Sequence, residues 1–154
     1  MSVIARYQGD FMHHVVGFSP GVFDLFHVGH LDLLSRAAGR CDRLVVGVLA
    51  DEAAEELFGA RPIVPAIERM EIVSNVRYVS GVVPLAGTGL REAHEAVGFQ
   101  RVFTGGPDAP AAADVERELA GTGVAVVALT GLAETRSAVL RGALPGANPK
   151  ASVA

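Results

Sequence analysis

The chain has little of several residue types that specialised functions require. It has 154 residues with one cysteine, Cys41, and no tryptophan. A single cysteine allows neither an intrachain disulfide nor a cysteine cluster for zinc, so we expect Cys41 to be a small buried apolar residue. Basic residues are not in excess. The formal net charge of −4 gives no support to a nucleic-acid-binding surface, so no nucleic-acid partner is expected.

Long apolar runs are also absent. No run approaches the length of a membrane span, and residues 1–10 lack the basic and apolar regions of a secretory signal. We therefore expect no membrane association and a cytoplasmic location. Half of the residues are nonetheless apolar and 19% are charged, which is typical of a folded globular chain. The length fits one domain over residues 13–144, preceded by an extension over 1–12 and followed by a tail over 145–154.

Predicted strands and helices alternate along the chain. Short apolar, β-branched segments predict strands, and segments with helical periodicity separate them. The alternation predicts a single-domain α/β fold, a Rossmann-like parallel sheet flanked by helices on both faces. The predicted strands are 15–18, 43–49, 79–84, 100–104 and 124–129, and the predicted helices are 28–39, 51–57, 66–77, 88–97, 111–120 and 135–144.

The ligand site of such a sheet can be located before its strand order is known. Ligands bind beyond the carboxyl ends of the parallel strands. Residues 21–30 follow the first predicted strand, Gly105 and Gly106 follow the fourth, and residues 130–137 follow the fifth. We therefore expect these three segments to lie at the same rim of the sheet.

Residues 21–30, with the sequence GVFDLFHVGH, place two histidines three positions apart at the predicted start of a helix. A zinc site would need a third ligand, and the spacing differs from the helical two-histidine signature. The chain has no Gly-x-Ser-x-Gly elbow for nucleophilic hydrolysis. Surface or capping histidines are the simplest alternative, but that reading does not explain the glycines on both sides or the strand immediately before.

Phosphate binding explains the arrangement better. The start of a helix offers unpaired backbone N–H groups and the positive end of a dipole. Gly21 and Gly29 would let phosphates approach the backbone closely. The imidazoles of His27 and His30 can donate hydrogen bonds to phosphate oxygens whose charge grows during transfer.

The same stretch resembles the G-x-F-D-x-x-H-x-G-H signature of the cytidylyltransferase-like nucleotidyltransferases, especially the small glycerol-3-phosphate cytidylyltransferases. The likeness continues through residues 42–52 and 65–84 and covers about residues 13–140. Enzymes of this family join a nucleoside triphosphate to a phosphorylated small molecule and release pyrophosphate, usually with Mg²⁺ bridging the phosphates.

The resemblance implies the nucleotidylyl transferase fold and transfer of a cytidylyl group from CTP to a small phosphorylated alcohol such as glycerol 3-phosphate. It also implies Mg²⁺ bound with the triphosphate and a homodimer. An adenylyltransferase that uses ATP, or a nucleotide-binding relative with little or no activity, are the alternatives.

Roles for individual residues follow from the same resemblance. His27 and His30 would stabilise the transition state, and Asp24 would hold the turn or orient a histidine. Arg61 and Arg69 would bind the acceptor or the triphosphate, although an exposed helical arginine is the simpler reading of Arg69. No protein side chain is expected to bind a metal. The residues expected to contact the nucleotide lie in the first turn or in the late motif: Gly21, Val22, Phe23, Gly29, Thr130, Thr135, Arg136 and Ser137.

Three departures from the family pattern concern the edges of the site. Residues 57–61 lack the lysines of close relatives and offer only Arg61 as a cation. Residues 105–108 read Gly-Gly-Pro-Asp where the family has Gly-Asp-Asp-Trp. The late motif at 130–137 lacks its leading arginine and carries Glu134. These departures weaken the prediction of CTP and glycerol 3-phosphate more than the prediction of the reaction type.

Overall fold

A computed structural model of the chain describes residues 14–87, 89–134 and 143. Within these residues, five parallel strands form one sheet in the order β3-β2-β1-β4-β5. The predicted Rossmann-like parallel sheet is therefore confirmed. In chain order the elements are β1 (Val16–Gly21), α1 (Val28–Ala38), β2 (Arg43–Leu49), α2 (Asp51–Phe58), α3 (Ala66–Ser74), β3 (Gly81–Leu85), α4 (Leu90–Val97), β4 (Arg101–Thr104), α5 (Ala112–Glu118) and β5 (Ala125–Ala128).

A hydrophobic core covers each face of the sheet. Successive residues of β2 alternate between the two cores, with Val46 and Val48 on one face and Val45 and Leu49 on the other. Helices α1 and α3 pack on the first face, and α2, α4 and α5 pack on the second. Because both faces of β2 are buried, residues 44–49 form a continuous apolar run instead of an alternating one.

The chain reverses its direction of travel across the sheet between β1 and β4. The chain runs from β1 outward to β2 and β3, then crosses back to β4 on the opposite side of β1. A crevice at such a switch point is where open α/β sheets bind ligands. The loops after β1 and β4 meet there, since the Val22 N–H donates to the Asp108 carbonyl oxygen at 3.0 Å.

Strand β1 is longer than the sequence predicts. The predicted strand ends at residue 18, but Pro20 and Gly21 continue the ladder with β2. Proline lacks an N–H group and is tolerated in a strand where a neighbour is missing on one side. The partner strand β4 pairs with β1 only at Gly17 and Phe18, so Pro20 has such a position.

Helix α2 begins at Asp51, as predicted, and ends at Phe58, one residue beyond the predicted end. Its N-cap is Ala50, which makes no side-chain hydrogen bond. The extension over 1–12, the predicted helix over 135–144 apart from position 143, and the tail over 145–154 lie outside the described residues. Among the residues that are described, no helix is long and apolar enough to cross a bilayer.

Candidate active site

The loop between β1 and α1 has an unusual backbone. Phe23 and Leu25 both have positive φ, at 55° and 48°. The left-handed region costs a non-glycine residue about 1–2 kcal/mol. Surrounding contacts must therefore fix the loop, and the Phe23 side chain is one of them: it is buried and lies 5.3 Å from the His30 ring.

His27 is the N-cap of α1. Its Nδ1 accepts a hydrogen bond from the Gly29 N–H at 3.0 Å, the place usually taken by a serine or threonine oxygen. His30 completes a capping box, because its Nδ1 accepts from the His27 N–H at 3.3 Å. The two imidazoles therefore cap helix α1, as the alternative of capping histidines predicted.

His30 is buried, with 4% of its surface exposed, and its second nitrogen also has a protein partner. Its Nε2 lies 2.7 Å from Oδ2 of Asp108. Its ring stacks on that of His27, with centroids 3.8 Å apart and planes 24° from parallel. Both ring nitrogens of His30 are therefore used inside the protein.

The hydrogen bonds assign the tautomers of the pair. Nδ1 accepts a backbone hydrogen bond in both rings, so the proton of each neutral ring lies on Nε2. The expectation that both histidines donate to phosphate needs a correction on this point: in this structure the Nε2–H of His30 donates to the Asp108 carboxylate.

Gly29 makes room for two close neighbours. An added Cβ would lie 2.9 Å from Cε1 of His27 and 3.0 Å from the Ala133 carbonyl oxygen. The absence of a side chain therefore brings the segment after β5 to the start of α1. Gly21 likewise makes room for the Phe23 ring, since an added Cβ would lie 2.9 Å from it.

Helix α1 also holds the segment after β5 by its side chains. Arg36 donates to the carbonyl oxygens of Thr130 and Gly131 at 2.9 and 3.0 Å, and Asp32 accepts from the Ala133 N–H at 2.9 Å. The hydrogen bonds from Ala133 and Arg36 hold the pKa of Asp32 below its usual value. Thr130, predicted to bind the nucleotide, is exposed at this rim. Three further predicted residues, Thr135, Arg136 and Ser137, lie outside the described residues.

Asp24 contacts backbone groups of two segments, and its predicted supporting role stays a prediction. Its carboxylate accepts hydrogen bonds from the N–H groups of Ile63 and Val64, both at 2.9 Å, and from that of Leu25 at 3.1 Å. The side chain is 2% exposed. Asp24 therefore joins the strained loop to the segment that precedes α3.

Arg69 differs from both readings of it. Its side chain is fully buried, so it is not an exposed helical arginine and cannot contact a substrate at the surface. It donates to the carbonyl oxygens of Val22 and Val64, at 2.7 and 2.8 Å, and to Oδ1 of Asp51 at 2.6 Å. The predicted substrate contact is thus replaced by a structural role. The predicted contact between Val22 and the nucleotide also needs a correction. The N–H and C=O groups of Val22 are both hydrogen-bonded inside the protein.

Asp51 is the charged partner of this buried arginine. Burial by itself raises the pKa of the Asp51 carboxyl, but hydrogen bonds from Arg69 and the Ala66 N–H outweigh that effect and hold the pKa below its usual value. Arg61 lies next to Asp51, with the closest atoms 3.8 Å apart, and also pairs with Glu52 and Glu55 at 3.3 and 3.4 Å. Arg61 is exposed, and its predicted contact with a phosphate stays a prediction.

Asp108 is the residue of the site that the sequence analysis missed. It was noted only as the last residue of a turn that departs from the family pattern. Its signal was weak: an acidic residue after the fourth strand, 78 positions from its histidine. The expectation that loops after parallel strands share a rim could have pointed to it.

The described residues contain no group of three or more histidine, cysteine, aspartate or glutamate side chains placed to hold a metal ion. The arrangement instead offers the start of α1, an imidazole donor on His27, and the rim where the loops after β1, β4 and β5 meet. Such a set can bind an anion and stabilise charge that develops on it.

Comparison with known proteins agrees with this geometry. The chain is 38% identical to the bifunctional protein HldE of Halorhodospira halophila over 109 residues, which are 70% of this chain and 22% of that protein. It is 45% identical to the bifunctional protein HldE of Acidiphilium cryptum over 69 residues, which are 44% of this chain and 14% of the other. The chain therefore spans about a fifth or less of the length of these relatives.

Solved structures share the fold. A lipopolysaccharide core biosynthesis protein from Thermoplasma volcanium has a TM-score of 0.69 at 22% identity, over 79% of this chain and 99% of the other. Pantothenate synthetase from Thermus thermophilus has a TM-score of 0.59 at 17% identity, over 99% of this chain and 70% of the other. The family described as Cytidylyltransferase-like matches residues 18–142. The chain is therefore a member of the Cytidylyltransferase-like family.

Proposed function

We propose that the chain is a nucleotidyltransferase, which transfers a nucleotidyl group from a nucleoside triphosphate to a phosphorylated small molecule and releases pyrophosphate. The observation that carries the proposal is the stacked pair of His27 and His30 at the start of α1, in a chain that belongs to the Cytidylyltransferase-like family. The pair lies at the switch point of the sheet, where the fold binds ligands.

The reaction needs no covalent enzyme intermediate. An oxygen of the acceptor phosphate attacks the α-phosphorus and forms a new P–O bond. The bond from the α-phosphorus to the bridging oxygen of the β-phosphate breaks, and pyrophosphate leaves with that oxygen. The protein's contribution is then to position the two reactants and to stabilise the negative charge that spreads over the oxygens of the transition state.

His27 is the side chain best placed for that stabilisation. Its Nδ1 accepts a hydrogen bond from the Gly29 N–H, which fixes the ring and places its proton on Nε2. The positive end of the α1 dipole lies at the same point. Removing one such preorganised donor typically costs about 10²–10³ in kcat.

Mg²⁺ would enter with the triphosphate. Magnesium is usually bound through substrate phosphates and water with few protein ligands. That mode is compatible with the described residues, which hold no group of three or more histidine, cysteine, aspartate or glutamate side chains placed for a metal ion. The ion would neutralise phosphate charge.

CTP is the donor that we propose first, on the basis of the family. ATP is the second donor, because the chain departs from the cytidylyltransferase pattern in the turn at 105–108 and in the late motif. Small phosphorylated alcohols and sugar phosphates are the acceptors to be tried. The homodimer and the cytoplasmic location stay predictions.

Pyrophosphate release tests the proposal. Purified protein with Mg²⁺ is given CTP, ATP, GTP or UTP against a panel of polyol and sugar phosphates. We expect release with one donor that requires both acceptor and Mg²⁺. The double variant His27→Ala/His30→Ala should lose it, whereas His14→Ala, an exposed histidine away from the site, should keep it.

Calorimetry with CTP and ATP separates the remaining outcomes. Binding without turnover for every acceptor would favour a nucleotide-binding relative with little activity. Activity that survives the double variant, or the lack of both binding and turnover, would contradict the proposal.

A further inference from the structure

Asp108 joins the turn after β4 to both ends of the β1–α1 loop. Its carbonyl oxygen accepts from the Val22 N–H at 3.0 Å, close to the end of β1. Its carboxylate contacts Nε2 of His30 at 2.7 Å, in the first turn of α1. The side chain of Asp108 is 15% exposed and that of His30 is 4% exposed, so water competes little with this contact.

The carboxylate determines which nitrogen of His30 carries the proton. A carboxylate accepts a hydrogen bond and cannot donate one, so Nε2 must be protonated. Nδ1 then accepts the backbone N–H of His27. The opposite tautomer would place an N–H against the His27 N–H and a lone pair against the carboxylate, which would lose both contacts.

The orientation of His30 is in turn passed to His27. The two rings stack at 3.8 Å, and the His27 backbone is held through Nδ1 of His30. Phe23 and Phe26 pack on the same imidazole at 5.3 and 5.4 Å but offer it no hydrogen bond. Of the described contacts to the His30 ring, two therefore favour the tautomer with the proton on Nε2: the His27 N–H at Nδ1 and the Asp108 carboxylate at Nε2.

We propose that Asp108 is a positioning residue for nucleotidyl transfer, which fixes the tautomer and orientation of His30 and, through His30, the place of the His27 donor. The proposal rests on the proposed function. It assigns His30 to a supporting position and His27 to the contact with phosphate.

Two substitutions separate the hydrogen bond from the charge. Asp108→Ala removes the acceptor, and Asp108→Asn keeps an oxygen that can accept from Nε2–H without a charge. Asp114→Ala is the matched control, because Asp114 is an exposed aspartate of α5 that pairs only with Arg117 among its described ion pairs.

We expect Asp108→Ala to lower kcat by about 10- to 100-fold with KM within about threefold of the wild type, since the loss of a carboxylate behind a histidine typically has such an effect. Asp108→Asn should lie between Asp108→Ala and the wild type, and Asp114→Ala should match the wild type.

Nitrogen-15 NMR of the ligand-free protein gives a readout that a general loss of packing would not produce. We expect a protonated Nε2 and an unprotonated Nδ1 for His30 in the wild type. In Asp108→Ala the share of the opposite tautomer should rise, because only the His27 N–H then favours a proton on Nε2. In Asp108→Asn the Nε2–H proton should remain but move upfield, because a hydrogen bond to a neutral oxygen is weaker than one to a carboxylate. This second variant decides the question if Asp108→Ala fails to fold.

Three results would overturn the proposal. One is an unchanged kcat and tautomer in Asp108→Ala. Another is a lower KM or a higher kcat in that variant, which would mean that the carboxylate competes with phosphate for His30. The third is an Nε2–H resonance that does not move in Asp108→Asn. If the wild type releases no pyrophosphate with any donor, the proposed function fails, while the tautomer measurement still tests whether Asp108 holds His30.

Discussion

The histidine side of the site, which comprises residues 21–30 and Asp108, meets the arginine side, which comprises residues 51–69, at Val22. The Val22 N–H is bonded to Asp108 and its carbonyl oxygen to Arg69. On the histidine side a helix start and a ring donor are directed toward the rim of the sheet. On the arginine side the cations are occupied by protein groups: Arg69 by the Asp51 carboxylate and two carbonyl oxygens, and Arg61 by three carboxylates.

This difference shows that formal charge is a poor guide to a phosphate site. The side with more cations has little positive charge to offer a ligand, because each guanidinium already has acidic neighbours. The side without a permanent cation presents a dipole end and preorganised donors, which need no further reorganisation when charge develops. We therefore expect the arginine side to govern stability and the histidine side to govern turnover.

The largest effect should come from Arg69→Met. The substitution keeps much of the volume but leaves the Asp51 carboxylate and the carbonyl oxygens of Val22 and Val64 without the arginine. Breaking one half of a buried ion pair typically costs about 3–5 kcal/mol, so urea unfolding should show a loss of that size. A loss below about 1 kcal/mol would mean that the pair is as weak as an exposed one.

A second effect should appear as a pH dependence. The pKa of Asp51 is lowered in the folded protein, so its contribution to stability is complete above its ordinary value of 3.8 and is lost as the pH falls through the lowered pKa. Asp51→Asn should cost about 2 kcal/mol at pH 7, as expected for hydrogen bonds to a charged group. The stability of this variant should then depend less steeply on pH in the acid range. Urea midpoints measured for both proteins between neutral pH and the acid limit of folding test this expectation, and parallel curves would contradict it.

Gly29→Ala tests the approach of the segment after β5 to the histidine side. The added methyl group would be too close to the His27 ring and the Ala133 carbonyl oxygen. Overpacking of this kind costs about 1–3 kcal/mol, so kcat/KM should fall about tenfold. Gly39→Ala at the other end of α1 is the control, because its nearest atom would be 3.5 Å away. Equal kinetics for both variants would show that the segment can move without consequence.

The smallest effect should come from Arg61→Gln. An exposed arginine that shares its charge with three carboxylates contributes little, so unfolding free energy and binding of the triphosphate should change by about 0.5 kcal/mol or less, which is about twofold in KM. A rise in KM of about tenfold or more would show that Arg61 binds phosphate. Both sides of the site would then contribute to substrate binding.

The fold could be predicted because its signals are local. Runs such as residues 43–49 are apolar and β-branched, and the strand–helix alternation favours a parallel sheet. The end of β1 was misjudged because Pro20 normally ends a strand, and its tolerance depends on how far β4 extends along β1. That distance is set by tertiary packing and has no local signal.

The site residues also divide into those with a local sequence signal and those without one. His27, His30 and Asp24 lie within one short motif whose spacing and setting indicate their roles. Asp108 and Arg69 act through partners 78 and 47 positions away, and one of those partners is a backbone carbonyl group that leaves no trace in the sequence. A helical arginine is usually solvated, and only the fold shows that acceptors surround this one.

The most direct test of the difference between the two sides is a comparison of His27→Ala with Arg61→Gln in one pyrophosphate-release assay, with the donor that the wild type uses. We predict that kcat falls about 100-fold in His27→Ala, the loss expected for a preorganised donor, and stays within about twofold of the wild type in Arg61→Gln. The opposite ranking, with kcat retained in His27→Ala and lost in Arg61→Gln, would contradict the assignment of the transfer chemistry to the histidine side.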